Sequence, residues 1–475
     1  MDKTKLAALA TALWLTGCAN LNLFPVFERP PVEIPAAWPG LPANAAAFDN
    51  AQWWTIYGDP ALDQLIEEAL EHNEDIAVAT ARINEATAQL TLADVEREPT
   101  VTGTFAPSVT RNTQRGPNPL PPGAHVTNRD HVLRINASYE IDLWGKLKGA
   151  SEAAQAELLA SESARDTVRN ILTAQVAQGY FALLALDAQI ATTRRTQETR
   201  MASLKLQQLR MQGGVSSEFE VRQVEAELAA VRAQTPALER SRTQQQNALA
   251  VLLGRSPREL VEGAIARGNP AMPADPVVPA GLPSELLLRR PDLREAEQKL
   301  IAANANIGIA RAAYYPSITL TGFLGGESKS LADLFIGPAR IFHFAAELMQ
   351  PIFGAKRIGA SVDVAKAREE QALAQYRQAI ANAFRDVQDA LAAQQSAREV
   401  LAAERARVEA LQQALVLAKL RYDNGISSQL EVLDAERNLL QAELNREEAE
   451  RAQRVAIADL FKAMGGGWHV KQGSN

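Results

Sequence analysis

Apolar and polar residues alternate without a break over 133–143. Leu133, Ile135, Ala137, Tyr139, Ile141 and Leu143 fall on one side, Arg134, Asn136, Ser138, Glu140 and Asp142 on the other. A period of two marks a β-strand with one oily and one wet face. Residues 99–110 repeat it, with Val101, Gly103, Phe105, Pro107 and Val109 against Thr100, Thr102, Thr104, Ser108 and Thr110. Ile318, Leu320 and Leu324 alternate with Ser317, Thr319 and Thr321, and Phe342, Phe344, Ala346 and Leu348 with His343, Ala345 and Glu347. The pattern predicts two hairpins. Strands of about 9–11 residues can cross a bilayer when tilted. Four strands cannot close a barrel, and lipid does not tolerate open edges. A spanning sheet must therefore be pooled among chains. Two chains supply about eight strands, whose interior side chains fill, so three chains are the smallest assembly with an open bore. On this pattern alone, the alternative is a half-buried sheet packed on helices.

Outside the strands the period becomes helical. Helices are expected over 61–96, 146–211, 218–253, 291–313 and 356–422, with a final one ending near Met464. The stretch 146–211 corresponds to roughly 100 Å, and 61–96 and 218–253 to roughly 54 Å each, at the α-helical rise. Two short helices end to end thus match one long one. Val221, Val224, Leu228, Val231 and Leu238 fall at heptad spacing, as do Leu401, Val408, Leu411, Leu415, Ala418 and Tyr422. These are coiled-coil seams. An ordinary antiparallel bundle is the plainer reading; the matched lengths favour a helical tube continuing from a barrel.

The chain also repeats itself. The segment 209–221 matches 420–432 at an offset of 211, and Leu253-Gly254 and Met464-Gly465 keep that offset. Pro99-Thr100-Val101-Thr102 matches Pro316-Ser317-Ile318-Thr319 at 217, and Trp144-Gly145 matches Phe353-Gly354 at 209. Ordered landmarks with small drift indicate one duplicated unit. The expected organisation is a signal peptide over 1–17, an anchored Pro-rich segment over 18–58 and a first repeat over 59–254 with its hairpin at 99–144. A linker over 255–282, a second repeat over 283–467 with its hairpin at 316–353, and a tail over 468–475 complete it.

Composition sharpens this. The 475 residues carry a net charge of −7, which argues against a general nucleic-acid binder. Aromatics make up only 5% against 47% hydrophobic residues, much of that Ala and Leu, which suits long helices. No uninterrupted apolar run near membrane-helix length follows residue 18. Lys3 and Lys5 precede a short apolar stretch over 6–15, the form of a secretory signal. It ends Leu15-Thr16-Gly17-Cys18, similar to the bacterial lipobox, whose cysteine is acylated and becomes the new N-terminus. Cys18 is the only cysteine, so no disulfide forms within the chain and no multi-thiolate zinc site exists. By resemblance to sorted bacterial lipoproteins, Ala19 directs the chain to the outer membrane lipid. Six prolines between Pro25 and Pro42 predict an extended spacer.

Trp53-Trp54, Gly58-Asp59-Pro60-Ala61-Leu62, Arg289-Arg290-Pro291-Asp292, Ala302-Ala303-Asn304-Ala305, Pro351-Ile352-Phe353, Leu433-Asp434-Ala435 and Ala463-Met464-Gly465-Gly466-Gly467-Trp468 together resemble the TolC-like outer membrane factor family, in its OprM/NodT lipoprotein branch. The resemblance implies a mainly α protein with a membrane β-barrel. Four strands per chain would join a trimeric 12-stranded barrel, continued by a long coiled-coil tunnel in the periplasm. It implies a passive exit duct that docks a periplasmic adaptor and an inner-membrane efflux pump of the RND type. The docking turns would be Gly214-Val215-Ser216 and Gly425-Ile426-Ser427. The family's constriction maps onto Leu430, Glu431, Asp434 and Arg437, with Arg222 and Gln223 near the equivalent place in the first copy. Gly465-Gly466-Gly467 lacks the context of a phosphate loop and reads as a helix terminator. No catalytic, cofactor or metal constellation stands out: His72, His125, His131, His343 and His469 are scattered, with His125 and His131 placed in the loop between strands. The alternative is a periplasm-facing scaffolding or binding lipoprotein without pore activity.

Overall fold

The computed structural model describes residues 23–36, 38, 52–117, 121, 123–268 and 283–466. The signal peptide, Cys18, the second half of the linker (269–282), Gly467, His469 and the C-terminal tail lie outside the described residues. The elements are α1 (Pro60–His72), α2 (Glu74–Val95), β1 (Thr100–Arg111), β2 (Thr127–Ile141), α3 (Lys146–Gln212), α4 (Glu218–Leu252) and α5 (Pro257–Glu262). They continue with α6 (Pro283–Arg289), α7 (Pro291–Ala312), β3 (Ser317–Ser328), β4 (Arg340–Met349), α8 (Ala355–Asp423) and α9 (Gln429–Ala463). Four pairs of corresponding elements match closely in length, 22 residues in α2 and α7, 12 in β1 and β3, 67 and 69 in α3 and α8, 35 in α4 and α9, whereas β2 has 15 and β4 10.

Two compact units are present, each drawing on both halves of the chain. The first takes residues 1–31, 82–161 and 295–377. Its sheet is an antiparallel meander in the order β1-β2-β3-β4. β2 begins at Thr127, earlier than the alternation suggests, so His131 belongs to a strand and not to the loop. His131 pairs with Pro107 and Ser328 across the sheet. The described part of the Pro-rich spacer, 23–36, forms neither helix nor strand, and its start is packed. The Phe24 ring fills the space that side chains at Gly149 and Gly308 would occupy. Asn304 donates to the Pro25 carbonyl at 2.8 Å, Arg311 to the Leu23 carbonyl at 3.2 Å, and Arg29 grips Glu297 through two bonds of 2.7 and 2.9 Å. Composition alone misses this because the receptor is made of glycines far along the chain.

The second unit takes residues 32–81, 162–294 and 378–475. An aromatic cluster forms its core: Trp53 stacks on Phe461 at 5.1 Å and Tyr57 meets Phe181 at 4.6 Å. A left-handed Gly58 (φ 59°) turns the chain into Asp59, which caps α1, and Pro60 opens the helix, where its missing N–H costs nothing. The Asp59 carboxylate is fully buried and accepts from the Ala61 N–H at 3.0 Å and the Tyr180 hydroxyl at 2.6 Å. Arg290, between α6 and α7, ion-pairs with Asp292 and Asp386 and donates to the Ala463 carbonyl at 3.0 Å.

The single helix expected over 61–96 is broken at Asn73. Its backbone is extended (ψ 130°), its side-chain oxygen caps α2 by accepting from Asp75 N–H at 2.9 Å, and its amide donates to the Leu252 carbonyl at 2.9 Å. Gly254 presses against this break: a Cβ there would lie 2.0 Å from the His72 carbonyl oxygen. No apolar run in α3 is uninterrupted, yet one 18-residue window of it is apolar enough on average to cross a bilayer. Val176, Ala177, Tyr180 and Phe181 of this helix are fully buried, so the apolarity serves the core.

Candidate functional site

The sheet register gathers every alternating apolar set on one face. Ile135 stands opposite Leu324, Leu324 opposite Phe342, Phe105 opposite Leu133, and Ile318 opposite Leu348. Val109, Phe342 and Phe344 are 69%, 72% and 78% exposed. The other face carries Thr100, Thr102, Thr104, Asn136, Ser138, Thr319 and Thr321. A contiguous exposed apolar surface of this kind marks an interaction or membrane surface. β1 and β4 each pair on one side only, leaving two open edges.

The helix turns at the ends of α3 and α8 share one geometry. Gly214 and Gly425 adopt φ of 74° and 71°. Val215 N–H donates to the Arg210 carbonyl at 2.8 Å and Gly214 N–H to Met211 at 3.0 Å; Ile426 and Gly425 repeat this onto Arg421 and Tyr422, both at 2.9 Å. Both are Schellman caps, in which the residue after the glycine normally tucks its side chain back onto the helix. Here Val215 and Ile426 are 79% and 68% exposed instead. Phe219 and Leu430, one turn further on, are exposed too, as are Leu206, Leu209, Leu417 and Leu420. The repeat offset maps each member of the first set onto one of the second. Gly465 and Gly466 end α9 with the same cap, matching the helix-terminator expectation.

Beside the second turn, the Arg437 guanidinium bonds Asp434 at 2.6 Å and approaches Glu227 of α4 at 3.6 Å. Asn438 bonds the other Asp434 oxygen at 3.1 Å. Asp434 and Glu227 hold Arg437 above its ordinary range, first through the Asp434 hydrogen bond. Glu227 also binds Arg200, whose side chain is buried. Glu431 lies apart from this cluster and faces Arg421 at 3.6 Å. Among the described residues, Arg222 pairs only within α4, with Glu218 and Glu225. A second network joins the two turns: Gln207 donates to Tyr422 at 2.8 Å and Gln429 at 2.9 Å, and Ser216 donates to Gln207 at 3.1 Å and Glu220 at 2.7 Å. Bonds from the Ser216 hydroxyl and the Ser217 backbone hold the Glu220 carboxyl below its usual range. Sequence reasoning missed Arg200, Gln207 and Glu227. Most of their partners lie far along the chain, 27 positions for Arg200 to Glu227 and 222 for Gln207 to Gln429, with no shared helix period to expose them.

The outer membrane efflux protein family model matches residues 65–255 and 282–466, one stretch per half of the chain. The chain belongs to the outer membrane efflux protein family. It is 35% identical over 472 residues to the cation efflux system protein CusC of Escherichia coli, spanning 98% of this chain and 100% of that one. It is 36% identical over 485 residues to the toluene efflux pump outer membrane protein TtgC of Pseudomonas putida, spanning 100% and 97%. Its fold superposes on the Campylobacter jejuni CmeC outer membrane channel with a TM-score of 0.89 at 25% identity, over 95% of this chain and 96% of that one. The chain is thus an outer membrane channel subunit of an efflux system, and the family and its structural neighbours are channel proteins. The apolar sheet face is the face such a channel needs toward lipid.

Proposed function

We propose that three copies of this chain close their sheets edge to edge into one twelve-stranded barrel in the outer membrane. The single observation that carries this is the register-matched apolar face on a sheet with two open edges. Joining β4 of one chain to β1 of the next removes every edge, and the apolar faces then line the outside. The long helices form the periplasmic tunnel, with Cys18 acylated as a second membrane attachment. The duct is passive, with no chemistry of its own, and energy comes from an inner-membrane pump reached through a periplasmic adaptor.

The exposed turns Gly214-Val215-Ser216 and Gly425-Ile426-Ser427 meet that adaptor. Their support is the outward Val215 and Ile426, apolar surface that the caps leave unused. Leu430, Asp434 and Arg437 form the constriction, repeated three times about the axis, with Glu431 on its flank and Glu227 as a strut on the neighbouring helix. A carboxylate ring favours cations, and the arginines bridging it hold it narrow. Relatives are named for cations and for toluene, so cargo follows the pump that delivers it. The test is conductance of purified trimers in planar bilayers. Asp434→Ala frees Arg437 and raises single-channel conductance; well-folded trimers that conduct nothing would refute the duct.

A further inference from the structure

The polar face of the sheet carries a single Phe, Tyr or Trp among its strand residues. Register places Phe323 opposite Asn136 on β2 and His343 on β4. Its ring stacks on the His343 imidazole at 5.5 Å and 23°, and from the β2 side the Arg134 guanidinium lies 4.7 Å from the ring centre. The residue opposite Arg134 is Gly325, so no side chain separates guanidinium from ring. Gly325 is fixed as glycine, since a Cβ there would lie 2.0 Å from the Leu133 carbonyl oxygen. Arg134 also reaches Glu327 at 3.4 Å.

Phe323 and His343 form the aromatic wall of a depression of about 280 Å³ that crosses all four strands. Thr100, Thr102, Asn136, Ser138 and Thr321 supply its remaining polar lining. No hydrogen bond engages the Thr102, Ser138 or Thr321 hydroxyls among the described residues. No carboxylate or guanidinium lines the space. His343 and Arg134 cover the two faces of the Phe323 ring, so the ring meets a guest by its edge; that edge beside uncommitted hydroxyls suits a flat ring that packs edge-to-face and hydrogen-bonds. At about 280 Å³ it lies just under the roughly 300 to 1,000 Å³ of drug-sized pockets, which limits it to a single small ring.

We propose that this depression is a transit site for small neutral aromatic solutes bearing hydroxyl or carbonyl groups. It rests on the reading of the polar face as the barrel lumen, which would set three such sites around the bore. The test measures block of single-channel current in planar bilayers by resorcinol, with 1,3-cyclohexanediol as its saturated counterpart. Resorcinol is expected to block saturably and the diol not. Phe323→Leu should raise the half-blocking concentration of resorcinol about two- to ten-fold, the worth of an aromatic pair. Thr321→Val, which keeps shape and removes a hydroxyl, should weaken block in a channel that retains Phe323. Equal saturable block by both solutes, or block unchanged in both variants, overturns the site while leaving the channel standing. Absence of pores in the unsubstituted protein overturns the barrel, and the site with it; normal pores without saturable block overturn the site alone.

Discussion

Glu227 ties a buried cation to an exposed one, and replacing it should separate stability from gating. Arg200 is 1% exposed, and its Nε has no hydrogen-bond partner. Glu227 is the one carboxylate bonded to Arg200 among the described residues. Removing one partner of a fully buried pair costs roughly 3–5 kcal/mol, because an uncompensated charge stays behind. The Glu227 side chain is 23% exposed, so water can follow the guanidinium in part, and glutamine keeps one acceptor. We therefore expect Glu227→Gln to cost about 2 kcal/mol, below that range. Arg437→Gln breaks the same chain of charges at its solvent end and should leave the melt almost unchanged, since exposed pairs contribute little. Both variants release the Asp434 cluster from α4 and should raise conductance. The assay pairs thermal unfolding of detergent-solubilised trimers, followed by helical circular dichroism, with planar-bilayer conductance. If Arg437→Gln destabilises as much as Glu227→Gln, Arg200 is compensated elsewhere and the reasoning fails.

Two other substitutions probe local devices. Gly308→Val would place a Cβ 2.1 Å from the Phe24 ring and expel it, so proteases should cut near residues 24–31 in the variant and not in the parent. Phe24 is half-buried, and Phe24→Ala should cost about 2 kcal/mol, below the full core value for such a truncation. The Glu220 carboxyl, lowered by bonds from Ser216 and Ser217, contributes stability that is complete above the ordinary glutamate range and is lost as pH falls through its lowered folded value. The protection factors of amides in the 213–220 turn, taken against their intrinsic exchange rates, should therefore fall on acidification, and Glu220→Gln should remove that fall.

The two kinds of periodic information in this chain differ in how much of the structure they carry. Strand alternation and the internal offset are properties of neighbouring positions, so the four strands, the long helices and the paired caps were legible from the residues. The offset also holds at Leu206, Leu209, Val215 and Phe219 against Leu417, Leu420, Ile426 and Leu430, though burial was needed to show that all eight face outward. What resisted reading depends on partners chosen by the fold. Asn73 breaks a helix because the Leu252 carbonyl waits for its amide, and Phe24 is held because Gly149 and Gly308 leave room. The same distinction separates the copies at the tip. Both turns keep one backbone cap, since the Schellman geometry needs only a glycine at the left-handed position. Arg222 stays bound to carboxylates of its own helix, whereas Arg437 reaches from Asp434 to Glu227. Duplication thus supplied two equal turns, and divergence at single charged positions let one of them bridge neighbouring helices. The proposed constriction could therefore loosen without disturbing the caps, because the Arg437 bonds to Asp434 and Glu227 are not those that end the helices.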